Sequence, residues 1–289
     1  LTSGCGDYFS KIDRYGYPDW WHNDQLIFQK GYATDVITSN GINFIEQHKK
    51  QPFFLYLAHL GVHFPWQSPD DAQLQTREQG KDFTSNKPGT QSKLGPHKPK
   101  DVPAVLHEMI ESLDRNIGRL VQFLEEEGLA DNTFIFFSSD NGQYLNYYDS
   151  TWPIVGSNGK LRGEKGDLYE GGHRVPAIAY WPKKIPENVV SDETLMSMDI
   201  LPTLLEITKT SLPEPNSINA LDGNSFLKVL TKQKEMSPRT LFWKTPEAKA
   251  ARLGDWKIVF NEENKEGMLF NLESDIGERE NKKSLQPEI

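Results

Sequence analysis

The chain has a single cysteine, Cys5, in 289 residues, so it forms no internal disulfide and gives no reading of redox compartment. Cys5 sits between Gly4 and Gly6 with Asp7 beyond. No base and no helix start stands beside it to activate a thiolate, so it is not read as a nucleophile. No run of eighteen apolar residues occurs, which excludes a membrane-spanning helix. Basic residues are outnumbered, 32 against 41 acids, and a net charge of -9 excludes the broad basic face that general nucleic-acid binding requires. Internal repeats are absent. What remains, 36% hydrophobic with 11% aromatic and 25% charged, is the profile of a soluble globular chain long enough for one large domain or two smaller ones.

Elements follow from periodicity. Between Leu26 and Lys50 the apolar residues Ala33, Val36, Ile37, Ile42, Phe44 and Ile45 predict a helix with Thr34 as N-cap, although Gly41 lies inside it. Phe53 to Ala58, set off by Pro52, predicts a strand buried on both faces. Residues 66–100 are polar and predict a long surface loop, and between Phe83 and Lys100 the residues Lys87, Lys93, Lys98 and Lys100 stand without an acid, a set that could touch an anionic substrate or be simply solvated. Leu106, Met109, Ile110, Leu113, Ile117, Leu120, Val121 and Leu124 step by three or four and predict a helix that Gly128 stops. Phe134 to Phe137 and Val175 to Trp181 predict two more strands, so the fold class is α/β with a parallel or mixed sheet covered on both faces. Trp256 to Phe260 and Met268 to Leu272 predict a hairpin. The expected division is 1–237 as one domain and 238–289 as a small antiparallel subdomain.

Ligands of open α/β sheets lie beyond the carboxyl ends of the strands, and two such ends carry polar residues. One runs into Ser138-Ser139-Asp140-Asn141-Gly142, where Asp140 and Asn141 set two hard oxygen donors side by side, a pair that suits Ca²⁺ or Mg²⁺ and equally a tight turn. The other runs into His59-Leu60-Gly61-Val62-His63-Phe64-Pro65. A third stretch, Leu161-Arg162-Gly163-Glu164-Lys165-Gly166 followed by Tyr169 to Pro176, interleaves glycines with cations. That pattern lets a backbone and a charge approach an anionic group, or makes a solvated turn.

Together these pieces resemble the sulfatase family of the alkaline-phosphatase superfamily. The matching stretches are Pro52 to Tyr56, Val62 to Pro65, Ser139 to Gly142, Leu161 to Pro182, Met198 to Leu205, Leu221 to Gly223 and Arg252 to Lys257, in the family's order. The resemblance implies an alkaline-phosphatase-like three-layer α/β sandwich and hydrolysis of a sulfate monoester, on a sulfated glycan or an aryl sulfate. It implies one Ca²⁺ with Asp140 and Asn141 among its ligands, Lys165 on the sulfate and toward the leaving oxygen, and His63 on the ester as candidate proton donor to the alcohol. His59 matches no fixed role and reads as supporting or structural, and His173 reads as surface or packing. Trp20, Trp21, Tyr144, Tyr147 and Tyr148 are candidates for stacking on a sugar ring or for packing.

The family's nucleophile, a formylglycine made from Cys or Ser in a Cys/Ser-x-Pro-x-Arg stretch, has no counterpart in this sequence, nor do paired early aspartates or Gly-Lys-x-His-x-Gly. The chain begins at Leu1 and stops at Ile289 just inside what reads as another helix, so both ends are expected to be cuts and the piece alone inactive. Two alternatives stay open: a phosphatase or phosphodiesterase of the same superfamily, and a binding module without turnover. The first is disfavoured because an amide follows Asp140 where two-zinc enzymes carry an imidazole. Export is implied by the resemblance alone, and the absence of an Asn-x-Ser/Thr sequon favours a bacterial source. Oligomeric state is not legible.

Overall fold

The computed structural model describes residues 6–74, 77–84, 95–145, 155–214, 217–263 and 265–284; Cys5, Lys87, Lys93, Tyr147 and Tyr148 lie outside them. The chain divides into two compact units, Leu1–Leu129 with Leu145–Ser157, and Ala130–Tyr144 with Asn158–Ile289.

In the first unit a short hairpin, β1 (Trp21–His22) and β2 (Gln25–Leu26), precedes α1 (Ala33–His48) and α2 (Val102–Glu126). Helix α1 starts a residue ahead of Thr34, which is buried inside it, and its N-cap position is Tyr32. The Tyr32 side chain does not cap; its hydroxyl donates to the Gln67 carbonyl at 2.8 Å. Gly41 belongs in this helix because Leu55 and Leu57 press on it: a Cβ there would lie 2.9 Å from Leu57 Cδ2. Helix α2 carries Pro103 in its first turn, where no intrahelical N–H is needed. It ends before Gly128, whose φ of +66° suits a residue without a side chain. Buried Asn116 of α2 joins the helices, donating to Asp35 Oδ1 of α1 at 2.6 Å while Arg119 donates to its Oδ1 at 2.8 Å.

The expected strand Phe53 to Ala58 is a correction. The segment forms no ladder among the described residues, and its exposure alternates. Leu55 and Leu57 turn toward α1, whereas Phe54 and Tyr56 are 71% and 80% exposed. An apolar run says that both faces avoid water; it does not say which partner covers the second one.

In the second unit β3 (Ile135–Ser138) pairs antiparallel with β4 (Ala177–Tyr180), Phe136 opposite Ala179. The expected strands are therefore both present, and their pairing is antiparallel. Between them lies a one-turn helix, α3 (Glu170–His173), and after them α4 (Ile200–Thr208) and α5 (Leu227–Lys232). The expected hairpin is the last pair of a four-stranded antiparallel sheet: β5 (Thr240–Lys244), β6 (Ala248–Leu253), β7 (Trp256–Asn261) and β8 (Gly267–Asn271). One face of that sheet supplies Ala250, Val259 and Phe270 to a core completed by Leu168 and Leu272. These residues lie within 238–289 apart from Leu168, and we retain 238–289 as a proposed subdomain.

Asp199, fully buried before α4, holds three segments of this unit together. Its carboxylate accepts the N–H groups of Met196 and Asn224, each at 2.8 Å, and pairs through both oxygens with Arg239. Burial pushes this carboxyl up, but Arg239 and the two N–H donors outweigh burial and hold it below the ordinary 3.8. A carboxyl depressed by folding contributes stability above its unfolded pKa and loses it as pH falls through the folded value. Asp199→Ala, which strands the Arg239 charge, is expected to cost about 3–5 kcal/mol in urea unfolding at pH 7. Asp199→Asn is expected to flatten the loss of stability below pH 3.8. Parallel acid profiles for this variant and the unaltered chain would count against the assignment.

Candidate active site

Beyond β3 the chain turns sharply. Ser139 Oγ donates to the Asn141 carbonyl at 2.9 Å, and Asn141 Nδ2 donates to the Gly142 carbonyl at 3.0 Å. Asp140 is exposed, and among the described residues its carboxylate accepts no hydrogen bond and forms no ion pair. Gly142 is there for close approach. Its N–H donates to the Gly172 carbonyl at 2.9 Å, and a Cβ would fall 1.8 Å from the Gly171 oxygen, so no other residue fits this crossing.

The crossing partner is the foot of the glycine-rich loop. Gly171 N–H donates to the Arg162 carbonyl at 2.7 Å, which closes residues 162–171 into a loop with Lys165 exposed in it. A turn inside the loop is fastened by Asp167, whose Oδ2 accepts Glu164 N–H at 2.9 Å and whose own N–H donates to the Glu164 carbonyl. Lys165 donates its N–H to the Gln143 carbonyl at 3.2 Å.

Asn158 ties the two segments more firmly. Its Oδ1 accepts Gln143 N–H at 2.8 Å, while its Nδ2 donates to the Gln143 carbonyl at 3.1 Å and to the Gly163 carbonyl at 2.9 Å. The side-chain amide stands in for a strand partner of Gln143 and reaches the Lys165 loop with its remaining hydrogen. The segments that carry Asp140, Asn141 and Lys165 are thus tied together by the three bonds of Asn158 and by the direct main-chain bonds between them.

Below the loop lies a buried charge cluster. Lys257, on β7 and without solvent exposure, places Nζ 2.9 Å from Glu170 Oε1 and 3.0 Å from Glu278 Oε1, both acids being buried. Arg252 stands 3.4 Å from Glu170 Oε2. Burial opposes ionisation of Glu170, but Lys257 and then Arg252 hold its carboxyl below the ordinary range. At Glu278 burial prevails over Lys257 and the carboxyl is pushed up. His173 stacks on Trp243 at 4.8 Å and is held below its usual pKa by burial and then by Lys257, so packing is its role.

His63 belongs to the first unit. Its Nδ1 lies 2.7 Å from the Phe64 carbonyl, which only accepts, so Nδ1 carries a proton and Nε2 is the basic atom of the neutral ring. Its own carbonyl accepts the Tyr8 hydroxyl at 3.0 Å. His59 differs: its Nδ1 is buried without a hydrogen-bond partner among the described residues, and burial lowers its pKa to about 4. A ring that stays neutral at physiological pH lacks the labile imidazolium proton that a general acid donates. Trp20 is buried beneath Lys11, which removes it as a sugar platform; Trp21 is exposed, and Tyr144 of the second unit is half-buried.

Reading by motif did not find Asn158, Glu170, Lys257 or Glu278. Lys257 did carry a signal: strand alternation sets it on the same side as Val259, an odd place for a charge without a buried partner. Glu278 carried none, because a left-handed residue at φ +50° after the last strand has no pattern in sequence.

As a metal site, Asp140 and Asn141 have the right chemistry in the wrong number. Ca²⁺ takes six to eight oxygens. Among the described residues no group of three or more His, Cys, Asp or Glu side chains is placed to hold a metal. The chemistry of the pair fits part, and only part, of a calcium shell.

The sulfatase family model matches residues 3–210, and the model for the C-terminal part of N-sulphoglucosamine sulphohydrolase matches residues 163–286. An uncharacterized sulfatase of Escherichia coli is 31% identical over 235 residues, covering 80% of this chain and 37% of that protein. Human arylsulfatase D is 28% identical over 238 residues, covering 78% of this chain and 35% of its own length. The chain therefore spans a little over a third of the length of each of these two relatives. Among solved structures, Ps i-CgsB in complex with k-i-k-neocarrahexaose superposes with a TM-score of 0.72 at 28% identity, covering 92% of this chain and 54% of that one. A protein bound to its substrate D-glucosamine-2-N,6-O-disulfate superposes at 0.71 with 20% identity, covering 100% and 72%, a likeness of fold. With its mixed α/β fold of the alkaline-phosphatase type and a family match running from residue 3 to residue 210, the chain belongs to the sulfatase family.

Proposed function

We propose that the protein to which this chain belongs hydrolyses sulfate monoesters, with sulfated glycans as its substrate class. The observation that carries this reading is the bridge built by Asn158: a carboxylate at Asp140, unpaired among the described residues, and an exposed ammonium at Lys165 held on neighbouring backbone segments. A sulfate ester needs that combination. Its negative charge repels a nucleophile, and fixed positive charge must offset it. Lys165 supplies one such charge. Asp140 and Asn141 would hold a hard cation there, and Ca²⁺, when bound, supplies Lewis-acid polarisation of a sulfate oxygen.

The departing alkoxide needs a proton, and His63 is the proposed donor through Nε2 of its imidazolium, since Nδ1 is spent on Phe64. His59 does not compete for that role, as burial keeps it neutral. The nucleophile, a formylglycine, is expected from a Cys/Ser-x-Pro-x-Arg stretch outside these 289 residues, which contain none. A glycan substrate is supported by the saccharides bound in the two similar structures, and an aryl sulfate is the other open case. Asn141 in place of an imidazole supports one hard cation over a two-zinc phosphatase. An exported location is proposed from family membership alone.

Four outcomes are expected. In the whole protein, Lys165→Ala lowers kcat/KM for an aryl sulfate by about 10²-fold or more, as loss of a fixed charge at a developing anion does; a phosphate ester hydrolysed faster than its sulfate analogue would instead favour the phosphatase. Asp140→Ala abolishes both calcium-dependent turnover and calorimetric Ca²⁺ binding, and an unchanged titration would remove Asp140 from the metal. His63→Ala slows alkyl sulfates, whose alkoxides need a proton, far more than p-nitrophenyl sulfate, whose phenolate does not. Equal losses on both would assign His63 to binding. The 289-residue chain alone is expected to leave aryl sulfates uncleaved.

A further inference from the structure

The loop that carries Lys165 has two feet, and both rest on a residue more than a hundred positions later. Arg162, at the first foot, donates from Nη1 to the Glu278 main-chain carbonyl at 2.8 Å. Glu170, at the second, donates its N–H to Glu278 Oε2 at 2.6 Å. Glu278 can face both because its backbone is left-handed, and because Gly277 before it lets the chain run close to the Lys160 carbonyl, 3.1 Å from where a Cβ would sit. Arg162 is kept flat by Tyr169, its guanidinium 3.9 Å from the ring centre.

Lys257 locks this arrangement from below. Its ammonium lies between the carboxylates of Glu170 and Glu278, and the three groups are buried. Two carboxylates this close repel each other unless a cation stands between them, and the cation costs more to bury alone than paired. Arg252 and Arg174, 3.4 Å and 3.5 Å from Glu170 Oε2, complete the balance on the other side of that acid. None of the cluster faces a substrate in the reading given above. What it fixes is the separation of residues 162 and 170, hence the span across which Lys165 is held.

We propose that Lys257 and Glu278 are positioning residues for Lys165: through the two feet of its loop they set where its ammonium stands against the sulfate. The inference rests on the reading of Lys165 as a sulfate-binding residue, and its test separates the two.

Amide hydrogen exchange on the whole protein reads the loop without reference to activity. Lys257→Met is expected to speed exchange in residues 163–168 at least tenfold while leaving α4 and α5 unchanged, and Lys257→Arg to restore most of the protection. Uniform acceleration, or none, overturns the proposal. Should Lys257→Met fail to fold, the isosteric Glu278→Gln, which removes the charge and keeps the shape, carries the same expectation. The kinetic readout is a double-mutant cycle with Lys165→Ala on an aryl sulfate. With Lys165 present, Lys257→Met is expected to lower kcat/KM by about tenfold, mostly through KM, the scale of loss that small misplacements cause. With Lys165 already removed, the same change is expected to cost less than twofold; full additivity overturns the proposal. If Lys165→Ala alone leaves turnover intact, the reading of Lys165 as the sulfate ligand falls, and the exchange result still decides whether the cluster positions the loop.

Discussion

A side-chain amide has one acceptor and two donors, and at Asn158 all three are spent on main chain: the N–H and C=O of Gln143 and the C=O of Gly163. The peptide groups beyond the end of a strand have lost their ladder and still require partners. Asn158 supplies them at Gln143 and uses the surplus hydrogen to capture the loop opposite. The separation between the turn at Asp140 and the loop at Lys165 is therefore set by short, directional bonds among peptide groups. Long side chains would leave that separation loose. An aspartate at this place would set an acceptor against two carbonyls, so the nitrogen of the amide matters as much as its size.

The second unit repeats one device at two junctions: a buried acid that gathers main-chain N–H groups and is neutralised by a cation from a distant strand or loop. At Asp199 one arginine meets both oxygens, and the carboxyl stays firmly ionised. At the other junction a single lysine is divided between Glu170 and Glu278. Arg252 adds its charge on the Glu170 side only, and the two acids respond in opposite directions, Glu170 toward the anion and Glu278 toward the protonated form. Burial is common to both; the added cation draws Glu170 toward the anion, while the neighbouring Glu170 charge adds to the rise at Glu278.

Much of this was legible in the sequence where local physics decides. The apolar stripe of α2 stands out because one helical face repeats every three or four residues, and β7 and β8 because short apolar runs flank a polar turn. Family motifs pointed to Asp140, Asn141 and Lys165, which the fold gathers on adjoining segments. The start of α1 was misjudged by two residues, since Thr34 looks like a cap yet is buried within the helix, whose N-cap is Tyr32. The segment Phe53 to Ala58 read as a buried strand, because composition reports avoidance of water and is silent about hydrogen-bond partners. The bridging role of Asn158 and the two-footed hold of Glu278 were not legible at all. Both depend on contacts to backbone, and a backbone carbonyl looks the same in every residue.

The contact between Glu278 and the feet of the Lys165 loop also orders events in time. A chain leaving the ribosome makes residues 162–170 well before it makes 257 or 278, so until then the loop is held only by bonds within itself and to earlier residues such as Asn158 and Gln143. The glycines that permit its final shape permit many others. The loop that carries Lys165 therefore receives its two outer supports only once the four-stranded sheet and the segment after it have been made.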